Sequence, residues 1–191
     1  PHAASRLYYG SQRVWRSEDR GDSWVPVRGD LTRGDLRYDL PVAGRVQSID
    51  ALWGNSAMSW YATLTSITES PLVEGLLYTG SDDGVIQVSE DGGESFTASN
   101  SGVGAGFFPD PYPEFGQCVH KIAVHPDEPS RMYMQNHGGW EERPGIGVLR
   151  SDDGGKTWYS IAAGLPSDFG FPIAVHPHDP DVVYVLPLEA S

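Results

Sequence analysis

Ser151-Asp152-Asp153-Gly154-Gly155-Lys156-Thr157-Trp158 decides the fold, because its pattern returns at Ser17 to Trp24 and at Ser89 to Phe96. All three stretches fit Ser-x-Asp-x-Gly-x-Ser/Thr-Trp/Phe. Each position suits a tight turn between two antiparallel strands. Asp19, Asp91 and Asp153 can accept bonds from the turn's own amides, and Gly21, Gly93 and Gly155 permit positive φ. The Ser or Thr hydroxyl adds a local bond, and Trp24, Phe96 and Trp158 are expected to drop into the core as the chain re-enters a strand.

Superposing the three stretches extends the repeat upstream. Leu7-Tyr8-Tyr9-Gly10, Leu77-Tyr78-Thr79-Gly80 and Met132-Tyr133-Met134 each precede a short segment that ends at the turn, and Val183-Tyr184-Val185 is a fourth copy. Before them stand Ile122-Ala123-Val124-His125-Pro126 and Ile173-Ala174-Val175-His176-Pro177, with a fainter version in Ser66-Ile67-Thr68-Glu69-Ser70-Pro71. The unit therefore reads strand, Pro-bearing turn, strand, loop, strand, Asp-Gly turn, strand. Its spacing is about 72 and then about 62 residues.

The repeated octapeptide resembles the Asp-box, or BNR, repeat of sialidase-like and sortilin-like β-propellers, and the chain is similar to bacterial glycosyl-hydrolase-like BNR proteins. The resemblance implies an all-β propeller of four-stranded antiparallel blades, with one Asp-box hairpin between the third and fourth strands of each blade. It implies a scaffold more than an activity, since glycosidases, sorting receptors and photosystem assembly factors share the repeat. On this frame blade one spans 6–28 without its innermost strand, followed by an insertion at 29–61. Blade two spans 62–99, a crossover 100–118, blade three 119–161, and the start of blade four 171–186. These are about three and a half blades and about thirteen strands, short of the roughly sixteen that a four-bladed ring needs. The expectation is an excerpt of a larger propeller, with the remaining blades or another chain needed to close the ring. The absence of an initiator Met before Pro1 and of a signal-peptide core fits trimming at both ends.

Composition narrows the partners. With 23 Gly, 15 Pro and 11% aromatics the 191-residue chain suits a turn-dense β protein. No stretch is apolar enough to insert in a membrane, so a soluble protein is expected, secreted or cytoplasmic. A net charge of −13 disfavours a nucleic-acid partner, because phosphate contacts would be repulsive. Cys118 is the single cysteine, so no internal disulfide can form, and a buried inert thiol is expected.

Antiparallel order puts the Asp-Gly turns and the His-Pro turns on one face, and the other loops and the blade-to-blade crossovers on the opposite face. Family resemblance places the ligand on that opposite face. It carries Asp35, Asp39, Glu114, Glu141 and Glu142, the candidate catalytic carboxylates, since a glycosidase needs two across the scissile bond. Trp140, His137, Arg143, Tyr112 and Arg37 are the candidate ligand-binding residues: aromatic plates for a sugar ring and charged partners for its hydroxyls. The arginine motif of sialidases is missing, so their site residues are not transferred. Asp82-Asp83-Gly84 and His176-Pro177-His178-Asp179 read as turn chemistry, and no metal and no cofactor is expected. The functional expectation is an Asp-box propeller that binds or hydrolyses glycans. The alternative is a non-catalytic propeller that docks a protein or peptide.

Overall fold

A computed structural model of the chain describes residues 2–34, 41–42, 45–46, 62–104, 118–137 and 145–188. The described residues are all-β, with no helix beyond an isolated turn, and every paired strand is antiparallel. The first sheet holds β1 (Leu7–Gly10), β2 (Val14–Ser17) and β3 (Val25–Pro26). A two-residue ladder follows, β4 (Pro41–Val42) with β5 (Arg45–Val46). Two four-stranded sheets come next. One holds β6 (Leu64–Glu69), β7 (Leu77–Ser81), β8 (Ile86–Ser89) and β9 (Thr97–Ala98). The other holds β10 (Val119–Val124), β11 (Met132–Asn136), β12 (Val148–Ser151) and β13 (Tyr159–Ser160). The last sheet pairs β14 (Ile173–His176) with β15 (Asp179–Val185).

Each repeated turn is a closed hydrogen-bond circuit. Ser151 Oγ accepts from the amide of Gly155 at 2.8 Å and donates to Asp153 Oδ1 at 2.8 Å. Asp153 in turn accepts from the Thr157 amide at 2.9 Å and its hydroxyl at 2.6 Å. Ser17–Asp19–Ser23 and Ser89–Asp91–Ser95 repeat the circuit bond for bond. The glycine needs a left-handed φ, and Gly21, Gly93 and Gly155 have φ of 99°, 96° and 86°. The turn then ties to the strand-entry residue of its own sheet, with the amides of Arg20, Gly92 and Gly154 donating to the carbonyls of Ser5, Gly75 and Ser130.

The Pro-bearing turns have an equally local cause. His125 Nδ1 accepts from the amides of Asp127 and Glu128 at 3.2 and 3.1 Å, and His176 Nδ1 accepts from that of His178 at 3.2 Å. In the fainter copy Ser70 Oγ does the same for Leu72 and Val73. The imidazole is a side-chain acceptor that closes a turn. The turn in blade four is tight, because a bulge after Val175 brings His176 opposite Asp179, where β15 begins.

The sheets stack face to face, with β1 against β6, β6 against β10, and β10 against β14, so the first strands of successive blades lie side by side. Three apolar seams separate them. Val14, Leu31 and Leu64 fill the first; Tyr78, Ile86, Met132, Met134 and Trp158 lie in the second; Tyr133, Val148 and Ile173 lie in the third. Each fully buried Ile, Leu or Met contributes about 1.5–3 kcal/mol.

The turn aromatics follow these seams unevenly. Trp158 is buried, its Nε1 donating to Ser99 O at 3.0 Å across the seam, and Phe96 is partly buried. Trp24, expected in the core, is 40% exposed and donates to its own Gly21 O. Its ring packs edge-on against Tyr9 of the same sheet.

Replacing Ser151 with Ala removes the acceptor for the buried Gly155 amide and is expected to cost about 1–3 kcal/mol in urea unfolding. Undiminished stability would show that the circuit closes without it. Asp19 is held down to about 2, chiefly by the Ser23 hydroxyl and amide and then the Ser17 hydroxyl, and Asp91 is lowered the same way by Ser95. Burial opposes ionisation of Asp153, but its bonds from Thr157 and Ser151 outweigh it and lower it too. A carboxylate lowered in the folded state stabilises above its ordinary value of 3.8 and loses that contribution as pH falls through the folded one. Thermal unfolding midpoints are therefore expected to drop between about pH 4 and pH 2, with a smaller drop in Asp91→Asn.

Candidate functional site

The face opposite the repeated turns is built from the ends of β7 and β11 and the starts of β6, β10 and β14. There a bulge recurs: the ladder shifts between Leu64 and Ser66 in β6, and between Val119 and Lys121 in β10. A bulge re-aims the extra residue. In both sheets that residue reaches the next one, Thr65 Oγ1 bonding Val119 O and His120 Nδ1 lying 2.5 Å from Gly170 O. The carbonyl can only accept, so Nδ1 of His120 carries the proton and Nε2 is left as an acceptor.

Around His120 three further rings converge. Its imidazole stacks on Phe171 at 4.4 Å and 15°, and meets His137 edge-on at 5.3 Å. Phe169 lies 5.0 Å from His137 and 5.5 Å from Phe171, ring centre to ring centre. Backbone bonds hold the set: the His137 amide donates to Cys118 O, and the Leu188 amide to Phe169 O, both at 2.8 Å. Gly170 lets the crossover lie against β15's exit, since a Cβ there would sit 2.7 Å from Leu186 O. Phe171 keeps 49% of its surface exposed. Burial lowers the pKa of His120, opposed by its bond to Gly170. Burial also lowers His137, with a further push from His120. Both rings are therefore neutral at pH 7.

The carboxylates described on this face are occupied by backbone. Asp83 Oδ2 accepts from the Arg33 amide and Asp82 Oδ1 from the Thr63 amide, both at 2.8 Å. Asp168 Oδ2 accepts from Gly145 and Gly147 at 2.8 and 3.0 Å. They pin crossovers and loops to strand ends. Among the described residues no group of three or more His, Cys, Asp or Glu is placed to hold a metal ion, and no helix is long and apolar enough to cross a membrane.

Of the residues singled out in the sequence, the structure places His137 in this cluster. Asp35, Asp39, Glu114, Glu141, Glu142, Trp140, Arg143, Tyr112 and Arg37 lie outside the described residues. Phe169 and Phe171 were not singled out. Their signal was available: they stand on the short crossover that leads into an innermost strand, two and four residues ahead of Ile173.

The chain is similar in structure to an ancestral GH74 enzyme, at 17% identity and a TM-score of 0.59, covering 100% of this chain and 21% of that one. It is also similar to the GH74 xyloglucanase from Xanthomonas campestris, at 17% identity, a TM-score of 0.44, and coverage of 98% and 34%. YCF48 from Cyanidioschyzon merolae matches 59% of this chain and 28% of its own, at 17% identity and a TM-score of 0.38. The first of these likenesses supports the propeller fold, and the chain spans about a fifth of that enzyme's length. No protein-family model and no curated protein matches the sequence.

Cys118 borders the cluster. Burial pushes its thiol up to about 12, helped by the negative charges of Asp82 and Asp83. The thiolate is the reactive form. Disulfide-exchange labelling at pH 8 is expected to run at least about ten-fold slower in the native protein than in urea. Equal rates would show an accessible thiolate.

Proposed function

We propose that this chain is part of an Asp-box propeller of the sialidase- and glycosyl-hydrolase-like kind that binds glycans through the face opposite its repeated turns. The half-exposed cluster of His120, His137, Phe169 and Phe171 carries this reading. A sugar presents an apolar C–H face and a rim of hydroxyls. Phe171 offers a ring for the first, and the unprotonated nitrogen of His120 an acceptor for the second. Neither group carries charge at neutral pH, which suits a neutral saccharide in a chain of net charge −13. Trp140, Glu141, Glu142 and Arg143 follow His137 within six positions and join the proposal as further ligand contacts. Hydrolysis would need a carboxylate pair about 5–9.5 Å apart, for which Asp35, Asp39, Glu114, Glu141 and Glu142 are the candidates.

A protein or peptide partner is the second reading, favoured by the 49% exposure of Phe171, since an aromatic anchor serves a docking surface equally well. Glycan-array and chromogenic-glycoside screens, run beside a peptide library, separate the readings. Phe171→Ala is expected to weaken glycan binding about five- to ten-fold, the loss of about 1 kcal/mol of ring contact. Turnover abolished in Glu141→Gln or Glu142→Gln would add hydrolysis. Peptide capture without glycan capture overturns the glycan reading.

A further inference from the structure

Asn136 is 0% exposed, and neither its Oδ1 nor its Nδ2 has a hydrogen-bond partner among the described residues. Burying an amide without partners costs its full desolvation, and native folds leave few such groups. The preceding residue shows that this strand end can satisfy one. Gln135, 1% exposed, donates from Nε2 to the carbonyls of Asn136, Gly147 and Asp168, each at 3.0 Å.

The repeat sharpens the contrast. Asn136 ends β11 where Ser81 ends β7. The Ser81 hydroxyl donates to Asp83 Oδ1 and accepts from the Val85 amide at 2.9 Å, so it ties off the loop between second and third strands. His137 likewise stands where Asp82 does, and Asp82 Oδ1 holds the Thr63 amide at the entry to β6. Both positions that serve the loop in blade two are thus changed in blade three. One has become an imidazole of the aromatic cluster, the other an amide that ties nothing.

The two groups look to opposite sides of the sheet. Asn136 pairs with Val119, so their side chains share a face. Val119 lies against Gly80, where a Cβ would sit 2.5 Å from its Cγ1, so Asn136 faces the seam with blade two. His137, one residue on, faces the other seam, where it meets Phe169. The end of β11 therefore offers recognition groups to two seams about 10 Å apart, one sheet spacing. A single sugar ring is too small to touch both, whereas a chain of two or more reaches across.

We propose that Asn136 is a second ligand contact on the face opposite the repeated turns, its amide kept unpaired for the hydroxyls of a neutral oligosaccharide that runs across the end of β11 from Phe171. The inference rests on the glycan reading of that face. A side-chain amide holds a donor and an acceptor side by side, which match two neighbouring hydroxyls of one sugar. Asp82 and Asp83, near enough to Cys118 to raise its thiol, put negative charge along the same seam and disfavour an anionic ligand. Because the amide is covered in the free protein, the oligosaccharide gains this contact by displacing that cover, which slows association.

Asn136→Leu removes the amide at similar volume. It is expected to raise the midpoint of urea unfolding, since the unpaired amide no longer has to be desolvated. It is also expected to weaken binding of the oligosaccharide found in the glycan screen at least about ten-fold, while the matching monosaccharide, held at Phe171, binds as before. Asn136→Ser installs the blade-two residue and is expected to show the same selective loss; it decides by binding alone should the leucine variant not fold. A lower midpoint in folded Asn136→Leu overturns the proposal, because the amide would then be a structural anchor, for instance through an ordered water. Oligosaccharide affinity unchanged in either variant, or lost equally with that for the monosaccharide, overturns it as well. A wild-type chain that captures no saccharide overturns the glycan reading itself, whereas saccharide capture that survives both substitutions removes only the role of Asn136.

Discussion

A buried serine hydroxyl opens each of the three repeated turns, accepting a glycine amide four residues on and donating to the aspartate between them. Everything beyond the hairpin depends on this circuit, because it sets where the outer strand of a blade begins and where the turn's next amide points. That amide meets the carbonyl at the entry to the blade's second strand, as Gly154 meets Ser130. Third strand, fourth strand and second strand are thereby locked together at one end by bonds of a few residues' reach. The aspartates stay ionised well below the usual carboxylate range because they accept several such bonds at once.

Between blades the forces change character. The seams are apolar, filled by tyrosine, methionine and branched side chains, with a few directional bonds to fix the stagger. The clearest of these come from the bulged residues of the first strands. Thr65 reaches Val119, the opening residue of the next first strand, and His120 reaches Gly170 on the crossover that leads into the one after. A bulge costs ladder bonds, and here the extra residue recovers one across the seam. In the third blade it also delivers an imidazole to the opposite face with its proton assigned.

The cluster around His120 is thus a by-product of blade stacking put to use. Its rings come from β10, from the end of β11 and from the crossover into β14, three segments brought together by one seam. Burial keeps both imidazoles neutral, and the nearby carboxylates spend their acceptors on backbone amides of the crossovers. What the cluster holds there is an aromatic surface, half-exposed at Phe171, beside an imidazole with an acceptor nitrogen, on a molecule that is otherwise strongly acidic. That combination is the basis for reading the face as a site for a neutral, ring-bearing ligand.

The blade plan was legible along the chain because its causes are local. Serine, aspartate and glycine two positions apart close a turn wherever they stand, and His or Ser before Pro caps another. The alternation in Ile122-Ala123-Val124 reports a strand packed on both faces for the same reason. Local pattern failed where a residue's fate depends on a neighbouring sheet. Trp24 and Trp158 occupy the same repeat position, yet one is exposed and the other buried, since among the described residues the second alone packs against a neighbouring sheet. His120, His137, Phe169 and Phe171 are similarly scattered over some fifty positions. Nothing in their spacing announces a cluster, because contact across a seam is set by how whole sheets stack. Turn chemistry acts within a few bonds and is written residue by residue; burial and the site arise from packing at a distance, which only the folded chain decides.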